Sequence, residues 1–190
     1  MVKLERSETL IWEVPGGYPD DQIGQVARGS GTDRFKFRKG ITLNNVESPR
    51  VDFKKLNMLK SDYYPNNGDL LLVSDRLINV LNRYCPSDFQ HFPANVFVAG
   101  KQVDGVRLLN VVSTVDAVDM KQSQYEKYNG TERIIGFTRL VFRKNCLGEH
   151  GLARAGEYKG FVLASRELAL SLKEEGIRGI SFSDPAEILL

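Results

Sequence analysis

The sequence predicts an α+β fold with a mostly antiparallel sheet, two main amphipathic helices packed on it, and a loop-rich N-terminal lobe. Short apolar runs bounded by Gly, Pro, Asn and Asp are typical of strands and recur along the chain. Two segments, 70–81 and 161–172, each place an apolar run, a serine and then leucines at helical spacing, which predicts a strand followed by a helix. Because strands and helices do not alternate throughout, the order favours α+β over a parallel α/β sheet.

The predicted elements follow from these patterns of apolar residues and chain breakers. Strands are predicted at 8–14, 34–38, 70–73, 89–99, 105–115, 134–143, 161–163 and 179–182, and helices at 53–59, 75–83 and 166–175. The strands on either side of AGKQVDG are expected to form a hairpin. Gly176 stands where a helix C-cap glycine belongs.

The chain is predicted to divide into a loop-rich N-terminal lobe with short strands, residues 1–66, and an α+β core, residues 67–190. No break in composition marks a linker between them, so one compact domain is the alternative. With 42% hydrophobic and 26% charged residues among 190, the chain resembles an ordinary globular protein. A chain of this length needs neither disulfides nor a metal to fold.

Charge and cysteine content exclude several classes of protein. The net charge of +2 is too small to indicate a nucleic-acid or membrane partner by itself, and no apolar run approaches the ~20 residues that span a bilayer. The N-terminus lacks the apolar core of a signal peptide, so a cytoplasmic location is expected. Cys85 and Cys146 do not suggest a disulfide framework. Cys146 and His150 are four residues apart, but zinc needs three or four ligands, so no metal or other cofactor is expected.

Ser74 and Ser165 stand where a strand passes into a helix, the place of the nucleophile in some hydrolases. That chemistry needs a base, an oxyanion hole and usually a glycine on each side of the serine. Neither serine is flanked by glycine, and the only histidines of the chain are His91 and His150. We therefore expect both serines to cap their helices, each stabilising the fold by about 1 kcal/mol.

Arg34, Lys36 and Arg38 alternate with two phenylalanines in RFKFR. As a strand, this segment would place the basic residues on one face and Phe35 and Phe37 on the other, which is expected to face the core. Stacking on nucleic acid needs both on the same face, so nucleic-acid binding is not favoured. The sequence predicts a solvated edge strand here, with contact to an acidic protein surface as the alternative.

Asp116 and Asp119 directly follow an apolar strand, and Ser123 and Tyr125 come soon after. Two carboxylates could act as acid and base if one were desolvated. They could also bind a cation, although the dense acidic spacing of a calcium loop is missing. The structural alternative, which is favoured, is that the aspartates accept hydrogen bonds from backbone amides at a turn.

An ordered series of segments resembles the immunity protein eleven family of bacterial polymorphic toxin systems, formerly a domain of unknown function. The series consists of GDLLLVSDRLINVL, FPANVFV, LLNVVSTVDAVDMKQSQY and FVLASRELALSLKEEGIRGISF, and it covers roughly residues 67–184. Arg143 or Arg154 is the counterpart of a further arginine in the family pattern. The other matching positions are Asp116, Asp119, Ser123, Tyr125, Ser165, Leu168, Leu172, Gly176, Gly179 and Phe182.

The resemblance implies a cytoplasmic protein that is encoded beside a secreted toxin and blocks it by binding, without catalytic residues of its own. The chain is therefore expected not to be an enzyme. Its interface would occlude the active site of the toxin or an adjacent surface, burying on the order of 1,600 Å². Asp116 and Asp119, with Glu174 and Glu175 at the end of the last helix, are the local acidic candidates for this contact. The alternatives are an enzyme that reverses the modification made by a toxin, and a small nucleic-acid-binding protein.

Overall fold

The structure is a computed structural model that describes residues 8–55 and 60–185. Two α-helices lie within these residues, α1 (Asp75–Tyr84) and α2 (Arg166–Glu174). The same residues contain the strands β1 (Thr9–Glu13), β2 (Gln25–Val26), β3 (Arg50–Phe53), β4 (Tyr63–Tyr64), β5 (Leu71–Ser74), β6 (Phe89–Pro93), β7 (Asn95–Val98), β8 (Lys101–Val103), β9 (Val106–Val111), β10 (Thr114–Val115), β11 (Gln124–Lys127), β12 (Ile134–Arg139), β13 (Leu152–Ala155), β14 (Val162–Ser165) and β15 (Ser181–Ser183).

The fold is α+β with mostly antiparallel pairing, but the strands are divided among four sheets and do not form a single one. Only the pairs β3–β7 and β10–β13 of the described strands are parallel. The sheets have the strand orders β10-β13-β14-β1-β15, β2-β3-β7-β8, β4-β5-β9-β6 and β11-β12.

Successive side chains of a strand face opposite sides of its sheet. The four sheets therefore pack around three separate apolar clusters. Both helices pack in one cluster with the sheets that contain β5 and β14, and Trp12, Val73 and Leu81 are among its buried members. Leu72 points the other way, into a cluster shared with the β2-β3-β7-β8 sheet. Leu163 likewise faces a third cluster under the β11–β12 hairpin.

The two predicted helix caps are confirmed. The Oγ atoms of Ser74 and Ser165 accept hydrogen bonds from the N–H groups of Leu77 and Leu168, at 3.1 Å each. Gly176 follows α2 with φ of 68°, the left-handed conformation that glycine adopts at a helix C-terminus without steric cost.

The segment RFKFR, residues 34–38, is not the predicted strand but a 3-10 helix. The Asp33 carboxylate accepts a hydrogen bond from the Phe35 N–H at 3.1 Å and so caps the first turn. A local side-chain bond of this kind competes with pairing in a sheet. Because a 3-10 helix has three residues per turn, alternate residues do not share a face. The side chain of Phe37 is therefore 2% exposed, whereas that of Phe35 is 54% exposed.

The predicted strand 89–99 is split into β6 and β7, which belong to different sheets. β6 pairs with β9, whereas β7 turns back onto β8. The break directly follows Pro93, which has no N–H to continue a ladder. The β7–β8 hairpin turns at Ala99 and Gly100, which both have positive φ, as type I′ turns require.

Strands from the first third of the chain pair with strands from the rest. β1 lies between β14 and β15, and β3 pairs with β7. The helix predicted at 53–59 starts at the last residue of β3, and residues 56–59 lie outside the described residues. The division of the chain at residue 66 stays a prediction.

Candidate functional site

The segment 116–125 follows β10 and is fastened to the fold near its start. The Glu157 carboxylate accepts hydrogen bonds from the N–H groups of Ala117 and Val118, at 3.1 Å each. The Arg143 guanidinium donates to the carbonyl of Val118 at 3.3 Å and lies 3.9 Å from the Glu157 carboxylate. Since Ala117 and Val118 are fully buried, these bonds supply partners for amide groups that have lost water.

Asp119 is the acceptor of a local turn. Its carboxylate accepts hydrogen bonds from the N–H groups of Lys121 and Gln122, at 3.0 and 3.1 Å, and from Nε2 of Gln122 at 2.7 Å. These bonds favour the charged form and lower the pKa of Asp119, the Gln122 side chain making the largest contribution. The carboxylate is therefore suited to holding the turn and not to donating a proton.

Ser123 and Tyr125 join the same segment to β12 and the residues after it. The Ser123 hydroxyl accepts a hydrogen bond from the Val141 N–H at 3.0 Å. The Tyr125 ring packs beside that of Phe137, with 6.1 Å between centroids. Ser123 is buried and Tyr125 half-buried, so both side chains make most of their contacts within the protein.

Asp116 is the exposed member of the predicted set. A β-carbon on Gly156 would come within 3.3 Å of the Asp116 carboxylate, so the carboxylate lies beside the loop after β13. Acid–base catalysis by two carboxylates requires that one of them be desolvated. Asp116 is exposed, Asp119 is only half-buried, and the pKa of Asp119 is lowered. The pair therefore does not have the environment that such catalysis needs.

Glu174 and Glu175 are exposed at the end of α2, and Glu175 contacts α1. The Glu175 carboxylate lies 2.5 Å from the Arg83 guanidinium. The backbone carbonyl of Glu175 accepts a hydrogen bond from the Arg76 side chain. The charge of Glu175 is thus offset by α1. The structure places these glutamates at the helix pair and Asp116 at the end of β10, so the sequence-predicted acidic residues belong to two separate elements.

The predicted basic residues Arg34, Lys36 and Arg38 lie on the 3-10 helix, and we refer to residues 33–41 as the basic turn. Arg38 pairs with Asp69 at 2.9 Å, and Arg34 donates to the Asn67 carbonyl at 3.1 Å. The guanidinium carbon of Arg34 also lies 4.9 Å from the centroid of the Phe35 ring. The exposed Phe35 ring and the Arg34 cation therefore share one surface, contrary to the predicted separation onto opposite faces.

Arg154 on β13 holds the basic turn from beneath. Its side chain is nearly fully buried, at 3% exposure, and donates to the carbonyls of Phe37 at 2.9 Å and Lys159 at 2.8 Å. Burial first, and then the nearby charge of Arg38, lowers its pKa to about 10, so it remains a cation at neutral pH. Its Nε has no hydrogen-bond partner within the described part of the chain.

The basic turn and the segment 116–125 meet at Thr114 on β10. The Thr114 hydroxyl donates to the carbonyl of Gly40 at 3.3 Å and accepts from the Lys159 ammonium at 3.0 Å. The pKa of Lys159 is lowered chiefly by burial and then by Arg154, while Asp116 opposes the shift. The structure therefore brings Gly40 of the basic turn, Lys159 and Asp116, residues distant in sequence, to neighbouring positions.

Asp88 and His150 are the pair that most resembles catalytic machinery. His150 Nδ1 lies 2.5 Å from Asp88 Oδ1, and the Asp88 carboxylate also accepts from the N–H groups of Gly151 and Leu152 and from the Ser113 hydroxyl, at 2.9 to 3.0 Å. Asp88 is buried. It therefore ties the residues after α1 to the starts of β10 and β13, which is a structural task.

The sequence spacing of Cys146 and His150 does not produce a metal site. Cys146 Sγ lies 3.3 Å from the Thr9 hydroxyl, burial raises the pKa of its thiol, and His150 contacts Asp88 instead. Within residues 8–55 and 60–185, no group of three or more His, Cys, Asp or Glu side chains could hold a metal ion. In the same ranges, no helix has the length and apolar character needed to cross a bilayer.

Comparison with known proteins places the chain in a family. The model of the Immunity protein family (Imm11) matches residues 10–187. The chain therefore belongs to this family, as its sequence pattern indicated, and the match extends through the N-terminal third that the pattern left out. Comparison with individually curated proteins gives no match.

Three residues that shape this region are not evident from the sequence. The predicted strand directs Phe35 toward the core, Arg154 is one of two candidates for the family arginine, and Asp88 belongs to no recognisable motif. Asp33 was the available signal for Phe35, since an aspartate directly before a short segment favours a capped turn over a strand. The roles of Arg154 and Asp88 depend on contacts across 117 and 64 residues of sequence, which no local pattern encodes.

Proposed function

We propose that this chain is an immunity protein that binds a cognate secreted bacterial toxin and neutralises it by occluding its active site or an adjacent surface. The match to the Immunity protein family over residues 10–187 carries this proposal. A protein of this kind acts in the cytoplasm of the cell that makes the toxin. It needs a rigid surface complementary to the toxin, and no catalytic centre.

The geometry of the predicted acidic residues supports occlusion over catalysis. Asp119 is engaged by its own turn, and Glu175 is paired with Arg83. Asp116 is exposed and near enough to Lys159 to interact with it electrostatically, which supports a contact with the partner at the rim of the interface. Rim contacts of this kind guide association and orientation more than they contribute affinity.

The test is direct binding of the toxic domain encoded beside this protein. The domain carries an inactivating substitution, so that it can be produced safely, and is mixed in purified form with the full chain. We expect a stable one-to-one complex, and co-expression with the active toxin should protect the host cell. A toxin domain that forms no complex at micromolar concentrations would contradict neutralisation by binding.

A variant separates occlusion from enzymatic reversal of damage. Asp116→Ala combined with Asp119→Asn removes the carboxylates that an enzyme would use and leaves an amide at position 119. Under occlusion, any loss of protection follows the loss of affinity for the toxin domain. Full affinity with abolished protection would instead favour an enzyme.

A further inference from the structure

We propose that the basic turn is the surface on which the toxin docks, with Phe35 as its apolar anchor and an acidic face of the toxin as its partner. This inference rests on the proposed function and assigns its binding surface. It follows from the exposure of one aromatic ring, the charges around it, and the contacts that hold the turn in place.

Phe35 is exposed where a core residue was expected. Its side chain is 54% exposed, and Ile41 at the other end of the turn is 46% exposed. Two large apolar side chains on one nine-residue turn therefore each leave about half of their surface in water. Their contact with water is unfavourable, and a partner would remove it. Aromatic residues and arginine are enriched at the centres of protein interfaces, and the Arg34 guanidinium already lies over the Phe35 ring.

The charge around Phe35 is positive. Lys36 and Lys39 are exposed beside it, and no ion pair of the described residues involves either of them. Of the nearby acidic residues, Asp33 caps the turn, Asp69 pairs with Arg38, and the exposed Asp116 interacts with Lys159. The buried cation Arg154 adds to the field from beneath. The complementary partner is therefore an acidic surface with an apolar recess for one aromatic ring.

The turn is held in one conformation although it belongs to no sheet. Phe37 anchors it in the core, edge-on to the Phe92 ring at 6.4 Å between centroids. Arg154 holds the carbonyl of Phe37, and Thr114 holds that of Gly40. A rigid surface loses little conformational entropy on binding. The backbone on either side of Phe35 is therefore held in place before binding, as expected of a preorganised anchor residue.

A nucleic acid is the other polyanion that could meet cations and an exposed ring. Single-strand binding uses a basic groove with several aromatic residues that stack successive bases. The basic turn has one exposed ring, and its second phenylalanine is buried. A compact anchor with flanking charges is therefore better matched to a protein surface.

Two variants of the full chain test the docking surface, each with a matched control. Phe35→Ala is compared with Tyr128→Ala, because Tyr128 is 61% exposed on the β11–β12 hairpin. Lys36→Glu is compared with Lys101→Glu, which makes the same charge change at an exposed site on β8. All four side chains are exposed, so unchanged urea midpoints will show that the variants fold.

The measured quantity is the dissociation constant for the inactivated toxin domain. Phe35→Ala should weaken binding by about 30-fold or more, as expected for an anchor residue. Lys36→Glu should weaken it by about 10-fold, mainly through slower association, and the loss should shrink as salt is raised. Both controls should stay within about threefold of the unaltered chain.

The outcomes separate this inference from the proposed function. If the unaltered chain binds the toxin domain and Phe35→Ala and Lys36→Glu behave like their controls, the docking surface is wrong while the immunity function stands. If the unaltered chain does not bind, the proposed function fails. If instead it binds a single-stranded DNA oligonucleotide and loses that binding with Phe35→Ala, the acidic protein partner is refuted in favour of a nucleic acid.

Discussion

The two capping serines offer a matched pair of substitutions whose costs the structure predicts to differ. Ser165 makes the cap bond to Leu168, so Ser165→Ala should cost about 1 kcal/mol, the usual value of an N-cap. Ser74 makes the equivalent bond to Leu77 and also donates to the carboxylate of Asp62 at 2.6 Å. Asp62 is 6% exposed, and a buried hydrogen bond to a charged group contributes about 1.5–3 kcal/mol. Ser74→Ala should therefore cost about 2.5–4 kcal/mol.

The assay is urea unfolding of the two variants, followed by tryptophan fluorescence. Trp12 is the single tryptophan of the chain and is buried in the cluster that contains both helices. Ser165→Asp serves as the control, because aspartate keeps an acceptor at the N-cap and should preserve most of the stability. Equal losses for Ser74→Ala and Ser165→Ala, or a larger loss at Ser165, would refute the additional contribution of the bond to Asp62.

Three further predictions follow from the fold. Asp88→Ala leaves the N–H groups of Gly151 and Leu152 without their acceptor, so the free energy of unfolding, measured with urea, should fall by about 3 kcal/mol or more. A loss under about 1 kcal/mol would contradict this structural role of Asp88. Burial, followed by the charge of Asp88, raises the pKa of the Cys85 thiol from 9.0 to about 12. This thiol should therefore leave the free energy of unfolding unchanged below pH 9 and lower it between pH 9 and about 12, because the unfolded chain loses its thiol proton first. Cys85→Ala should reduce that decline, and a decline of unchanged size would contradict the assignment to Cys85. Residues 67–190 expressed alone lack β1, which pairs with both β14 and β15, so the fragment should give no cooperative urea transition, whereas a cooperative one would support a separate core domain.

Local signals made part of the fold predictable from the sequence. The helices α1 and α2 and their caps depend on a serine followed by apolar residues at helical spacing, and both helices begin and end within one residue of the predicted bounds. The strand β1 could be found in the same way, from its apolar run and the breakers after it. Such features are encoded over a dozen residues, so neighbours in sequence are sufficient to predict them.

The partners of the strands and the candidate surface were not predictable in this way. The division into four sheets depends on pairings such as β3 with β7, which local patterns do not specify. The strand predicted at RFKFR was wrong for a local reason. The Asp33 cap favours a helical turn, and this preference outweighs the alternation of basic and aromatic residues. That error also concealed the candidate surface, since a strand would have directed Phe35 inward with Phe37.

Arg154 shows why the position of the basic turn is tied to the rest of the fold. Burying a guanidinium without a carboxylate partner costs several kcal/mol, and an apolar side chain of the same size would avoid that cost. The two carbonyls it binds belong to Phe37 and Lys159, which lie in different loops. A single planar group that donates to both fixes the distance between those loops more tightly than apolar packing does, because its donors have a rigid geometry. The loops carry Phe35, Lys36 and Lys159 at the surface, so the buried cation both orients the proposed docking surface and adds to its positive charge.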